Sequence, residues 1–224
     1  LVATIPEPRS ALELFLAGMR AEAKGHAGDA TWFPIARDLF EQAVLIPPAP
    51  PLMLHYSLAH SLFHTQDDAL ALRVARSLQL LWPESGRAWH GSATAIRDRD
   101  PDTAIPWLRK AIELGADDVS VHADLGFALN AKERPEEAIP EFRRALARQG
   151  EHGNSHFGLP HALSKVHAWG EAEREAGRAI ELMPRHAGAH IVLGNVRTNL
   201  GRPKEGTEPL ERALELDPAA GDVH

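Results

Sequence analysis

Four histidines recur at an interval of 34 residues: His122, His156, His190 and His224. Extended backwards, the same ruler meets Trp89 and His55, with one residue missing between Trp89 and His122. A metal site or a catalytic set is gathered by folding and has no reason to keep a fixed sequence pitch. Recurrence at roughly 20–50 residues marks a repeating structural unit, stacked into a solenoid or array.

Other columns keep the pitch. One holds Leu58-Ala59, Ser92-Ala93, Leu125-Gly126, Leu159-Pro160 and Leu193-Gly194. A second holds Ala71, Ala104, Ala138, Ala172 and Gly206, and a third Ala75, Leu108, Phe142, Ala176 and Leu210. A fourth holds Leu78, Ala111, Ala145, Ala179 and Ala213, and a last one Pro83, Ala116, Gly150, Pro184 and Pro218. The histidine column and the Leu-small column lie on one face of a first helix, and the next three columns on one face of a second. Small residues allow two helix backbones to approach, the larger third-column residue fills the gap, and proline ends the second helix. Turn signals separate the helices at Gln66-Asp67, Asp100-Pro101, Arg134-Pro135, Trp169-Gly170 and Gly201-Arg202-Pro203. Pro106, Pro140 and Pro209 fall early in second helices, where a missing N–H costs little. Pro160 falls inside a first helix and is expected to kink it or to delay its start until about Leu159.

Together these columns resemble the tetratricopeptide repeat, whose pattern runs large residue, Leu-Gly, large residue, Ala, Phe, Ala, Pro. Leu125-Gly126, Ala138, Phe142 and Ala145 match it most fully, and His190, Leu193-Gly194, Ala213 and Pro218 support a second unit. The resemblance implies an all-α chain, a right-handed α-solenoid or superhelix of about six helix-turn-helix repeats. A single array is expected over 1–224, with repeats at about 52–85, 86–118, 119–152, 153–186 and 187–220. A looser unit at about 10–48 precedes them, with Ser10 capping a helix over 11–24, a long Gly25–Ala30 connection, and a helix over 31–46 carrying Ala36, Phe40, Ala43 and then Pro48. Residues 221–224 read as the start of a further unit, and Leu1 in place of methionine suggests that the natural N-terminus lies upstream.

In tetratricopeptide arrays the first helices line the inner surface. The resemblance therefore places Tyr56, His60, Phe63, His90, Arg97, Phe127, Asn130, Phe157, His161, Lys165 and Asn195 on a partner-binding face, with Phe15 and Met19 added by the first unit. Aromatic anchors beside hydrogen-bonding groups suit a peptide or a partner helix, because each ring buries much area at low entropic cost. Where some relatives clamp a chaperone's C-terminal carboxylate with lysine, this chain has Tyr56, His90, Ala123, Phe157 and Ile191. Where glycosyltransferase relatives carry an asparagine ladder, it has Ser57, Gly91, Asp124, Gly158 and Val192. Neither specialisation is matched.

The pitch histidines share their column with Trp89, so they read as packing residues with a ring nitrogen bonded to a carbonyl or to water. Stacked repeats hold equivalent atoms roughly 10 Å apart, too far for a shared metal shell. His60 and His64 form at most half a site, and no metal or cofactor is expected. A net charge of −7 argues against a nucleic-acid partner. No apolar run approaches the roughly 18 residues that span a bilayer, and the absence of cysteine excludes disulfides. There is no phosphate-binding glycine loop and no Gly-x-Ser-x-Gly elbow. Glutamates such as Glu136, Glu137, Glu171, Glu173 and Glu175 read as solvated outer-face charge.

The reading is a non-catalytic interaction scaffold that binds a peptide or helix in its groove. Two others stay open. The array is the targeting arm of a larger enzyme of glycosyltransferase, sulfotransferase or oxygenase type, or it self-assembles into a homo-oligomer through uncapped repeat ends.

Overall fold

The computed structural model describes residues 11–26, 31–44 and 68–218. Its regular elements among these residues are eleven α-helices and no strand. They are α1 (Ala11–His26), α2 (Trp32–Val44), α3 (Asp68–Leu81), α4 (Gly86–Ile96), α5 (Pro101–Glu113) and α6 (Val119–Ala131). There follow α7 (Pro135–Arg148), α8 (Gly153–Lys165), α9 (Trp169–Leu182), α10 (Ala187–Asn199) and α11 (Pro203–Leu216). The chain divides into two compact units, Leu1–Ala116 and Asp117–His224.

In the first unit α1 packs on α2, α3 on α4, and α4 on α5. Ala36, Phe40 and Ala43 are fully buried, as their columns require, while Ser10 and Pro48 lie outside the described residues. The start of α4 is capped by the Ser85 hydroxyl, which accepts from the Ala88 N–H, and that of α5 by Asp100, which accepts from Thr103 N–H. Pro101 opens α5, where its missing N–H leaves nothing unpaired. Helix α4 is buried almost all round, from Ala88 through His90 to Ile96.

In the second unit α6, α8 and α10 stack on one another, and each packs against its own following helix, α7, α9 or α11. The small columns do what their size suggests. A Cβ added at Gly126 would lie 2.8 Å from the Phe142 ring, and one at Gly194 would lie 2.5 Å from Leu210. Ala138, Phe142, Ala145, Ala172 and Ala179 have no exposed surface. Complete burial of a side chain such as Phe142 contributes on the order of 2–3 kcal/mol of transfer free energy.

The first helices of this unit end alike. Glu133, His167 and Gly201, one pitch apart, have φ of 52°, 60° and 77°. In each turn the next N–H reaches back five residues: Arg134 to Leu129, Ala168 to Leu163, and Arg202 to Arg197, at 3.0, 2.9 and 3.0 Å. This is the Schellman closure, in which a left-handed residue lets the chain satisfy orphan carbonyls. The α4–α5 turn differs. Arg99 and Asp100 both donate to Ile96 O, no residue there has positive φ, and the following helix starts directly at Pro101. The residue missing from the ruler is thus the left-handed one.

Two proline expectations change. Helix α8 runs unbroken through Pro160, so its start is not delayed. Pro106, Pro140 and Pro209 lie inside α5, α7 and α11 rather than in their first turns. The carbonyl that Pro209 leaves without a helical donor, Glu205 O, instead accepts from the Arg197 guanidinium at 3.1 Å.

Candidate interaction surface

The pitch column is a set of anchors, half-buried at Trp89 and buried at the histidines. Trp89 Nε1 donates to Pro83 O at 2.7 Å. His156 Nε2 donates to Gly150 O at 2.9 Å, and His190 Nε2 to Pro184 O at 3.1 Å. Each ring thereby ties its helix to the loop that leads into it. His122 uses Asp117 Oδ1 for the same purpose, at 2.8 Å. His122, His156 and His190 are 2%, 8% and 8% exposed. His55 and His224 lie outside the described residues.

Sequence reasoning missed the second partner of these rings. His122 Nδ1 lies 2.7 Å from Glu141 Oε2, and His156 Nδ1 lies 2.6 Å from Glu175 Oε2. Glu141 is buried, not solvated, and its other oxygen takes Arg144. Both His122 nitrogens face carboxylates, which only accept, so the ring makes both bonds only as imidazolium. The Glu141 hydrogen bond, opposed by burial and aided by Asp117, raises the His122 pKa. Asp117 is pulled down to about 2 by Arg148 and then by His122. Glu173 also is no free surface charge. It binds Arg202 and, at 3.0 Å, Arg197, and these bonds lower its pKa. The signal was present in the sequence, since Glu141 and Glu175 are themselves one pitch apart.

The residues expected to face a partner divide into groups. Tyr56, His60 and Phe63 lie outside the described residues, as does the Phe15 side chain, and Met19 is exposed. His90 is 2% exposed, so it belongs to the core of the first unit and is not presented to a partner. Arg97 is half-buried and bonded to Asp98 at 2.9 Å. In the second unit Phe127 and Phe157 are half-buried, with ring centres 6.3 Å apart. Phe127 also meets core Phe142 edge-on at 5.1 Å, and Phe157 meets His186 at 4.7 Å. These rings pack between helices while showing one side. Asn130 donates from Nδ2 to Gly158 O at 2.9 Å, tying α6 to α8, and its buried Oδ1 has no partner among the described residues.

His161, Lys165 and Asn195 come together. With Ser164, Trp169 and Asn199 they line a pocket of about 230 Å³ between α8 and α10. Lys165 Nζ is held 2.8 Å from Glu133 Oε1 at the left-handed turn, and this pair lowers the Glu133 pKa. His161 is exposed at its outer edge, yet partial burial and then the Lys165 charge hold its pKa below the ordinary value. A neutral imidazole, an ammonium, two side-chain amides and an indole thus share one small concavity. They can donate to and accept from an extended main chain. Among the described residues no group of three or more His, Cys, Asp or Glu is placed to hold a metal, and no helix is long and apolar enough to cross a membrane.

No protein-family profile and no curated protein matches the chain. Solved structures do. A chain in the APC/C hetero-tetramer Cut9–Hcn1 superposes with a TM-score of 0.81 at 17% identity, covering 95% of this chain and 41% of that one. A thermophilic tetratricopeptide protein of Thermus thermophilus gives 0.69 at 17%, covering 84% of this chain and 100% of that one. YrrB, a tetratricopeptide protein with an unusual peptide-binding site, gives 0.59 at 20%, covering 75% and 87%.

Proposed function

For a chain with the tetratricopeptide-repeat fold, we propose the role of a non-catalytic protein-interaction scaffold whose first-helix layer binds an extended peptide. The observation that carries this reading is the 230 Å³ pocket lined by His161, Lys165 and Asn195. These residues sit on successive first helices, so a peptide crossing the helices meets a new set of side chains with each repeat. Phe127 and Phe157 continue the same layer and offer apolar contact next to the polar pocket. The resemblance to YrrB, whose structure is described as having a peptide-binding site, supports the reading at the level of the fold.

The test is selection of a displayed random-peptide library on the immobilised chain, followed by affinity measurement. Peptides should enrich and bind at roughly micromolar strength. The double variant His161→Ala with Asn195→Ala, both exposed residues, should weaken them about tenfold while helicity stays unchanged. Failure to enrich any peptide, or equal affinity for wild type and variant, would overturn the proposal.

A further inference from the structure

The second unit repeats its His–Glu pair twice and then omits the glutamate. Glu141 stands beside His122 and Glu175 beside His156, and one pitch later the position is Pro209. A groove of about 580 Å³ lies there, walled by residues of α9, α10 and α11 and lined by His190, Glu208, Pro209 and Glu211 among others. It falls within the roughly 300–1,000 Å³ typical of ligand sites. His190, Leu193 and Arg197 line it from α10, whereas Val192, Asn195 and Asn199 of that helix line the other pocket. At helical spacing these sets occupy opposite flanks, so the groove is separate from the proposed peptide site.

Its chemistry asks for a donor with positive charge. His190 is 8% exposed, and its Nε2 faces Pro184 O, which only accepts. Nε2 therefore carries a hydrogen, and Nδ1, an acceptor in the Nε2–H tautomer, has no partner among the described residues. Glu208 and Glu211 likewise have no partner among the described residues. The groove's arginines are already engaged, Arg212 with Glu215 at 2.6 Å and Arg197 with Glu173 at 3.0 Å. Two unanswered carboxylates and one unpartnered ring nitrogen of a largely buried histidine remain.

We infer that this groove receives an arginine side chain presented by a partner polypeptide. The guanidinium donates to His190 Nδ1 from the floor and to Glu208 and Glu211 at the rim. Its planar array of donors can meet acceptors in several directions at once, which a lysine ammonium does less well. A carboxylate, the group that earlier repeats place here, would meet two unpaired glutamates and is disfavoured by charge.

The probe is a capped pentapeptide with a central arginine, titrated into the full chain carrying ¹⁵N-labelled histidine. Versions with citrulline or glutamate in place of arginine serve as controls. The arginine peptide should shift the His190 Nδ1 resonance saturably, leave that of His122 unmoved, and bind about tenfold more tightly than the citrulline peptide. Glu208→Gln with Glu211→Gln, both exposed, should weaken it at least about fivefold without loss of helicity. An unmoved His190 resonance, equal binding of the citrulline or glutamate peptide, or unchanged binding by the double variant would each overturn the assignment.

Discussion

At the scale of the residue, His122 is the group whose charge the fold fixes most strongly. Glu141 and Asp117 bracket the ring, and its folded pKa is raised above the unfolded value. A raised histidine pKa contributes stability that is fully present below the unfolded value, about 6.5, and is lost as pH rises through the folded one. Glu141→Gln removes the larger cause. It should cost about 1–3 kcal/mol near pH 6 and distinctly less at an alkaline pH above the raised folded pKa, where the ring has lost its proton. Urea unfolding of the two proteins at both pH values checks this, and a penalty that does not shrink with pH would contradict the imidazolium. The anchoring role of the column was readable from Trp89 sharing it, because an indole and an imidazole have in common an apolar body and one N–H. The glutamate partners were not readable from residue type alone. Glutamates recur every turn or so along such helices, and only their alignment with the histidines separates Glu141 and Glu175 from Glu171. His90 shows the converse limit. Its position on the first helix agrees with an inner face, but α4 is covered nearly all round.

At the scale of the element, the turn between paired helices is the most regular device in the second unit. Glu133 and His167 hold left-handed φ without being glycine, where Gly201 does so at no steric cost. His167→Gly should therefore stabilise the chain by about 0.5–1 kcal/mol, less what is lost from the ring contact of His167 with Trp169. Chemical denaturation measures the change, and a destabilised variant would mean that the ring contact outweighs the backbone strain. The one-residue break in the ruler was legible in the sequence, but its location was not. The structure puts it in the α4–α5 turn, which closes without a left-handed residue. Pro160 was misjudged for a related reason. A missing N–H and a ring clash argue for a break in an isolated helix, whereas here α8 is packed against α6, α7, α9 and α10 and continues through it.

At the scale of the whole molecule, contacts are local, and each helix packs on near neighbours in sequence. The pitch alone therefore carried the fold class, since each repeat must solve the same packing problem with the same columns. The partner-facing residues were less legible. An inner surface depends on how far each ring sinks between helices, and of the expected set His161, Lys165 and Asn195 share a pocket while His90 is enclosed. Locality also predicts autonomy. A fragment comprising Asp117–His224, one compact unit, should fold alone with strong helical circular dichroism and a cooperative urea transition. A fragment without such a transition would show that its core depends on the residues before it.

The most direct test of the scaffold account is a side-chain amide NMR spectrum of the ¹⁵N-labelled chain, titrated with a peptide selected on it. The account predicts saturable shifts of the Asn195 and Asn199 amide groups, which line the pocket between α8 and α10, and an unmoved Trp89 indole, whose N–H is bonded to Pro83 O. Saturable binding that leaves both asparagines unchanged would contradict it.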